Sequence, residues 1–511
     1  MWVGFSLLVS LAVLLPTGHG KPTNVPEQPE ELKLLYAEVA KIKAETPKGY
    51  ACYENLGCFD TEHGAMSHLG TLPTSPSRLD AKLLLYTRNN RDEPQVVSYL
   101  DDGSLDASNF DASLPVKILT HGFGESGSHY WIEGVKNAYL DREPMNIIAV
   151  DWQLGAEGLN YIRAAVNTEI VGRMIGSLVN LMVARGTNPS NVHLLGFSLG
   201  AQASGFAGEW LKYLNLKVGR ITGLDPASPF FTDLSSYGDQ THLDQSDADF
   251  VDVIHSNAAS LLLGGVGAKE PLGHVDYYPN GGEHQRGCPN VIVSTISGLF
   301  GSNGEDEDAI CNHRRAHIYF EESIRHPECP YTGFACPGGY DDFTAGKCFS
   351  CGDGTKCGHM GDAAIDSSAR GSLFLSTSPT PQYCGTQNYI EYRSAGGLDN
   401  LVTFGSIEVE AMGQRITVVE QGSMMIAAQT NTVFETTPFN SEVNTDKLHV
   451  KITYNRSSDG IINGGGTWRM DHLKVFTDSG NNYYFCQRRL PLQSGVPVEI
   501  ELTTTPCSCP C

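Results

Sequence analysis

The chain is poor in charge. Asp, Glu, Lys and Arg make up 18% of its 511 residues, too few for a disordered or coiled-coil chain, and its glycines belong to a folded globular protein and not to collagen. Basic residues are scarcer still. There are 35 against 58 acids, a net charge of −23, which excludes a broad basic face for DNA, RNA or heparin. No segment after the first twenty residues offers eighteen unbroken apolar positions, so no membrane-spanning helix is expected. At about 150 residues per domain the length allows two to four domains, and two is the expectation here.

The first twenty residues form a secretory signal: an apolar core from Phe5 to Leu15, then the small-residue end Thr17-Gly18-His19-Gly20. The mature chain is therefore expected to be soluble, secreted and extracellular. In that setting the 14 cysteines, an even number in local clusters, read as disulfides. Cys348-x-x-Cys351 resembles half of a zinc knuckle, but export favours the disulfide reading. Asn455-Arg456-Ser457 is a glycosylation acceptor compatible with secretion.

Residues 21–48, rich in Pro, Lys and Glu, read as a leader or mobile extension outside the fold, with a short helix over 30–45. Buried-strand signals then alternate with helical ones: Lys82 to Tyr86, Val116 to Thr120, Asn146 to Asp151, Val192 to Leu195 and Arg220 to Leu224. Between two of them Ile170, Val171, Met174, Ile175, Leu178, Val179 and Met182 fall at helical spacing, and Gly186 ends the helix. This is the pattern of an α/β fold with a mostly parallel sheet. A Cys- and Gly-rich stretch over 329–385 separates it from a tail in which Gly405 to Ala411, Leu448 to Tyr454, Leu473 to Phe476 and Val498 to Thr503 alternate apolar and polar residues. That tail reads as a β-sandwich of roughly 120 residues. The predicted domains are 49–385 and 386–511.

The chemistry centres on Gly196-Phe197-Ser198-Leu199-Gly200, directly after the strand Val192 to Leu195 and before the small-residue helix start Ala201 to Gly205. The bare motif is weak in a glycine-rich chain; its strand-to-helix setting makes it a nucleophile elbow, where a Cβ at either flanking glycine would collide with backbone. A serine hydroxyl needs a histidine to take its proton and an acid to hold the imidazole. Asp225, where Pro226 stops the strand Arg220 to Leu224, supplies the acid. Spacing alone leaves His242, His255, His274, His284, His313, His317 and His326 open as the base. An oxyanion hole needs two backbone N–H groups, assigned to Leu199 and to Phe123 in His121-Gly122-Phe123-Gly124 after an earlier strand.

Together with Cys52 to Phe59, Val150-Asp151-Trp152, Gly196 to Ala201 and Gly223 to Ala227, these residues resemble the pancreatic lipase family over nearly the whole chain from about residue 50. The resemblance implies an α/β hydrolase domain followed by a lipoxygenase-like (PLAT) sandwich that helps to dock the enzyme on lipid. It selects His313 through Cys311-Asn312-His313 and leaves His317 a structural role. It makes 288–311 a full-length lid, with Ile292, Ile296, Leu299 and Phe300 on one helical face and the acidic run Glu305 to Asp308, as a flap that turns apolar surface toward lipid requires. The loop from Ala258 to Gly273 is likewise full length, and both lean toward triacylglycerol. The family's structural Ca2+ would take carboxylates from Asp244 and Asp247 and backbone oxygens from Asp239 and His242, although three extra residues lie between Asp225 and Asp244.

The family pattern also implies the pairs Cys52–Cys58, Cys288–Cys311, Cys336–Cys348, Cys351–Cys357 and Cys486–Cys507. Cys329, Cys384, Cys509 and Cys511 depart from it, and Cys329–Cys384 is proposed as a further pair. Phe197 stands where relatives often have histidine. The resulting expectation is a secreted lipase that hydrolyses glycerolipid esters through an acyl-enzyme, with no organic cofactor and with room for a small protein partner of the colipase type. A phospholipase A1 or galactolipase with the same triad, and a catalytically silent lipid-binding or yolk-type relative, are the competing readings.

Overall fold

The computed structural model describes residues 30–507 apart from 159, 234–237, 260–264, 290–309, 412–413, 438–445, 458–465 and 479. The expected signal sequence, the apolar and acidic lid positions, and Cys509 and Cys511 lie outside the described residues.

The hairpin β1 (Tyr50–Tyr53) and β2 (Gly57–Asp60) is closed by the Cys52–Cys58 disulfide. The main sheet has eleven strands: β3 Lys82–Tyr86, β4 Gln95–Val97, β5 Val116–Thr120, β6 Asn146–Asp151, β7 Val192–Phe197, β8 Val218–Leu224, β9 Ala248–Ile254, β10 Val275–Pro279, β11 Tyr331–Ala335, β12 Cys357–Met360 and β13 Gly371–Leu375. Their order is β12-β11-β13-β10-β9-β8-β7-β5-β6-β3-β4. The run from β13 to β6 is parallel, and antiparallel strands close both edges.

Parallel strands are covered on both faces, so consecutive residues must serve opposite cores. In β7, Leu194 joins one apolar cluster and Leu195 the other; Ile118 and Leu119 in β5 do the same. The longer helices are α1 Glu30–Glu45, α2 Tyr130–Arg142, α3 Tyr161–Ala184, α4 Leu199–Tyr213 and α5 Cys311–Arg325. Helices α3 and α4 cover one face, with Ile170, Met174 and Leu178 buried beside Phe206 and Leu211. Helices α2 and α5 cover the other through Trp131, Val135, Tyr319 and Phe320. Gly172 lets α3 and α4 approach closely: a Cβ there would lie 2.5 Å from the Ala203 carbonyl oxygen.

One expectation needs correction. The segment over 30–45 is helical, but it is not outside the fold. Tyr36, Val39 and Ile42 repeat every three residues and form an apolar stripe. Val39 is buried in the main core, and the Tyr36 ring packs edge-on against Phe230 at 5.6 Å while its hydroxyl donates to Asp233 Oδ2 at 2.9 Å. Lys and Glu on the other face made the segment look unattached.

The C-terminal part is a separate all-antiparallel sheet of β14 Thr386–Ser394, β15 Val402–Ala411, β16 Gln414–Ile426, β17 Thr430–Thr437, β18 Lys447–Arg456, β19 Thr467–Thr477, β20 Asn482–Gln493 and β21 Val498–Thr503. Alternation makes its core: Leu448, Val450, Ile452 and Tyr454 of β18 point inward with Ile407, Val409 and Trp468. It is an all-β sandwich of the PLAT kind, and the Cys486–Cys507 disulfide joins β20 to the end of the described chain. The other disulfides are Cys288–Cys311, Cys329–Cys384, Cys336–Cys348 and Cys351–Cys357. Among the described residues no helix is long and apolar enough to cross a membrane.

Candidate active site

Ser198 is the corner between β7 and α4. Its φ of +56° lies in the left-handed region, a strained conformation that packing must hold in place. The surroundings show why glycine flanks it. A Cβ on Gly196 would run into the Gly200 carbonyl oxygen, and one on Gly200 would run into the carbonyl oxygen of Thr120 at the end of β5. Gly122 is nearly as constrained, since a Cβ there would stand 3.0 Å from Ser198 Cβ.

Strands β7 and β8 pair with Phe197 opposite Leu224, so Ser198 and Asp225 leave neighbouring strands at the same edge. Asp225 is wholly buried, has a φ of +45°, and donates its N–H to the Ile254 carbonyl at the end of β9, 2.8 Å away. Its Oδ2 lies 2.6 Å from His313 Nδ1, and its Oδ1 accepts the N–H groups of Ser256 at 2.7 Å and Asn257 at 3.0 Å. Donation from Nδ1 to this carboxylate leaves the lone pair of a neutral imidazole on Nε2, the tautomer that a general base requires. His313 sits in the first turn of α5, whose backbone is tied down where Ser256 Oγ donates to the His313 carbonyl at 3.2 Å. Phe197 packs its ring against the His313 imidazole, with centroids 4.5 Å apart.

The other histidines serve elsewhere. His317 is buried between Trp131, stacked at 5.6 Å, and Phe197, edge-on at 4.9 Å. Burial holds its pKa well below the ordinary histidine range. His274 Nδ1 accepts the Val251 N–H, His284 is exposed, and His326 pairs with Glu328 on the surface. His255 is wholly buried against Asp276.

Leu199 is the first residue of α4, where helix N–H groups have no intrahelical acceptor. Phe123 lies in the loop after β5, which is fastened on both sides. Gly122 N–H donates to Glu125 Oε2 at 3.0 Å, and Gly124 N–H donates to the Ala156 carbonyl at 2.8 Å. Glu125 also accepts the Trp131 Nε1–H, 3.1 Å away. His121 Nε2 accepts the Trp152 N–H, and Trp152 Nε1–H returns a bond to the His121 carbonyl. Ser256 and Asn257 carry no sequence signal, because their roles come from strand ends that meet only in the folded chain; Glu125 bonds its own loop and the next helix but stands in no motif.

Some distance away, Asp244 and Asp247 come together with Glu209 of α4, with a carboxylate oxygen from each within 4.8 Å of the others. Glu209 was invisible in the sequence, lying on a different element from the other two. Asp247 is wholly buried, and its Oδ1 is paired with the Lys212 ammonium at 3.0 Å. Burial, with the Asp244 charge beside it, pushes the Asp247 carboxyl well up. An all-oxygen, triply acidic cluster around a buried carboxylate fits a hard cation. Asp239 begins the short helical turn Asp239–Thr241, and His242 caps it in an extended conformation. Asn455 lies half-buried in β18 opposite Ser406.

Comparison with known proteins fits this geometry. The family described as Lipase matches residues 49–383. The human pancreatic triacylglycerol lipase is 40% identical over 320 residues, 61% of this chain and 66% of that protein. The pancreatic triacylglycerol lipase of Myocastor coypus is 32% identical over 470 residues, 89% of this chain and 98% of its own length. The human inactive pancreatic lipase-related protein 1 is 35% identical over 370 residues, 70% of this chain and 77% of that one. With its strand-to-helix serine, its hydrolase sheet and its terminal sandwich, the chain belongs to the pancreatic lipase family.

Proposed function

We propose that the chain is a secreted carboxylic ester hydrolase that cleaves triacylglycerol at a lipid–water interface by way of an acyl-enzyme. The observation that carries this reading is the 2.6 Å bond from His313 Nδ1 to the buried Asp225 carboxylate, beside a serine held at a positive φ. Ser198 Oγ attacks the ester carbonyl as His313 Nε2 takes its proton. The Leu199 and Phe123 N–H groups stabilise the oxyanion. His313 then protonates the leaving glycerol oxygen, and in the second half it activates the water that frees the fatty acid. Asp225 orients the imidazole and balances its charge.

Asp244, Asp247 and Glu209 would hold a calcium ion, with backbone oxygens of Asp239 and His242 completing the set. The ion would supply structural charge compensation, remote from the reacting atoms. The relatives' names support triacylglycerol as substrate, and a colipase-type partner is part of the same reading.

The test is fatty-acid release from a triacylglycerol emulsion, phosphatidylcholine vesicles and a galactolipid dispersion, with wild type and Ser198→Ala. Release mainly from the emulsion, lost in Ser198→Ala, is the expected result. A preference for the vesicles or the galactolipid would reassign the substrate. Folded wild type that releases nothing anywhere, with or without colipase, would overturn the enzymatic reading in favour of a silent lipid-binding relative.

A further inference from the structure

His255 follows directly on β9, at the corner where the strand gives way to the residues that bind Asp225. It is wholly buried. Its Nδ1 lies 2.7 Å from the Ala268 carbonyl oxygen and its Nε2 lies 2.8 Å from Asp276 Oδ1. A carbonyl oxygen can only accept. Asp276 is also acting as an acceptor: Oδ1 receives the Leu272 N–H at 2.9 Å and Oδ2 receives the Gly273 N–H at 3.1 Å. An ionised Asp276 leaves both imidazole nitrogens to donate, and a ring with two N–H groups is an imidazolium. The ring also stacks flat on Tyr278, with centroids 4.3 Å apart and planes 3° apart.

Two of the three segments joined by this ring cradle Asp225, and the third ties them to the sheet. Ser256 and Asn257, the next two residues, donate to Asp225 Oδ1, and Ser256 Oγ reaches the His313 carbonyl. Ala268, the acceptor for Nδ1, donates its own N–H to the Pro226 carbonyl at 2.7 Å. Gly267 bridges to Ala227 and donates to the Asn257 carbonyl at 3.0 Å. Asp276 anchors the assembly to β10, and the His255 N–H bonds the Tyr277 carbonyl of the same strand at 2.9 Å.

We infer that His255, held as an imidazolium by Asp276, is a positioning residue that fixes the Asp225 carboxylate against His313. The inference rests on reading Asp225 as the acid of a serine hydrolase. The ring touches neither substrate nor reacting atoms and acts through the backbone it clamps. The charged and titratable groups that face it are Asp276, Tyr278 and, further off, Asp225. Burial works against its charge, but the hydrogen bond and field of Asp276, then the Ala268 carbonyl and the Asp225 charge, outweigh that and raise its pKa. The two acceptors on the ring nitrogens are what hold the clamp together, and it loosens as the ring loses its second proton on raising the pH.

The test joins a spectroscopic readout to kinetics. In the full chain labelled with 15N-histidine, long-range proton–nitrogen spectra should show one histidine with both ring nitrogens protonated at pH 7, absent from His255→Gln. With p-nitrophenyl butyrate, His255→Gln should lose roughly 10- to 100-fold in kcat with KM nearly unchanged, the scale expected when a catalytic group is displaced by a fraction of an ångström or more. Asp276→Asn, which keeps the side chain's shape, should show the same split, so the test survives a His255→Gln protein that fails to fold. A neutral His255 at pH 7, or folded variants with wild-type kcat, would overturn the positioning role while leaving the hydrolase reading intact. A wild type that cleaves no ester and leaves Ser198 unlabelled by a fluorophosphonate would overturn the hydrolase reading and the positioning role with it, whatever the spectrum shows.

Discussion

The Glu125 carboxylate accepts the Gly122 N–H from within the same loop, 3.0 Å away, and so fixes the backbone one residue before Phe123. It is 7% exposed. Removing it leaves two buried donors, the Gly122 N–H and the Trp131 indole, without their acceptor, at about 1–3 kcal/mol each. Glu125→Ala should therefore lower stability and, on the proposed oxyanion role of the Phe123 N–H, lower kcat on the order of 10- to 100-fold with little change in KM, because a displaced oxyanion donor acts on the transition state. Glu125→Gln, which keeps one acceptor oxygen, should fall between it and wild type. Thermal melting and kinetics on a soluble ester check both.

Burial pushes the Asp233 carboxyl up to about 6, although the Tyr36 hydroxyl and the Phe230 N–H both donate to it. An acid whose folded pKa is raised keeps its proton in the folded chain after the unfolded chain has lost it. Stability contributed at this site is therefore greatest at low pH and declines as pH climbs from about 4 to about 6. Asp233→Asn stays neutral and can donate to the Tyr36 oxygen. Its melting temperature should gain on wild type as pH rises from 4 to 7, with little difference at pH 4. A difference that does not change with pH would count against the protonated carboxyl.

If the carboxylate cluster holds calcium as proposed, the ion at a hundred times its Kd would contribute about 2.7 kcal/mol to folding. Adding calcium to chelated protein should raise the melting temperature accordingly. Glu209→Gln should weaken that response and Lys212→Met should strengthen it, because Lys212 offers its ammonium to Glu209, Ser246 and Asp247 at 2.5, 2.6 and 3.0 Å. An identical calcium response in all three proteins would remove Glu209 and Lys212 from the site.

What the sequence reveals is what local chemistry dictates. The β7–Ser198–α4 elbow is visible because strand, glycines and helix start are contiguous. Asp225 is visible because a proline ends its strand. His313 is not singled out by spacing, since it stands 88 positions and several loops beyond Asp225; only likeness to a family picks it. Glu209 and the His255–Asp276 pair escape notice because each works through a partner that only the folded chain brings near, and Glu125, whose partners are local, stands in no pattern that marks it. The segment over 30–45 hides its packing for a related reason: its apolar stripe is short, and composition averages over both faces of a helix.

The φ of +56° at Ser198 bears on which residue can serve as the proposed nucleophile. A β-branched side chain is strongly disfavoured at positive φ, so Ser198→Thr would set a perfectly reactive hydroxyl against its own backbone. Of the two alcohols that biology offers with similar chemistry, the turn admits one. Conformational selection at a single dihedral thus precedes any selection for reactivity.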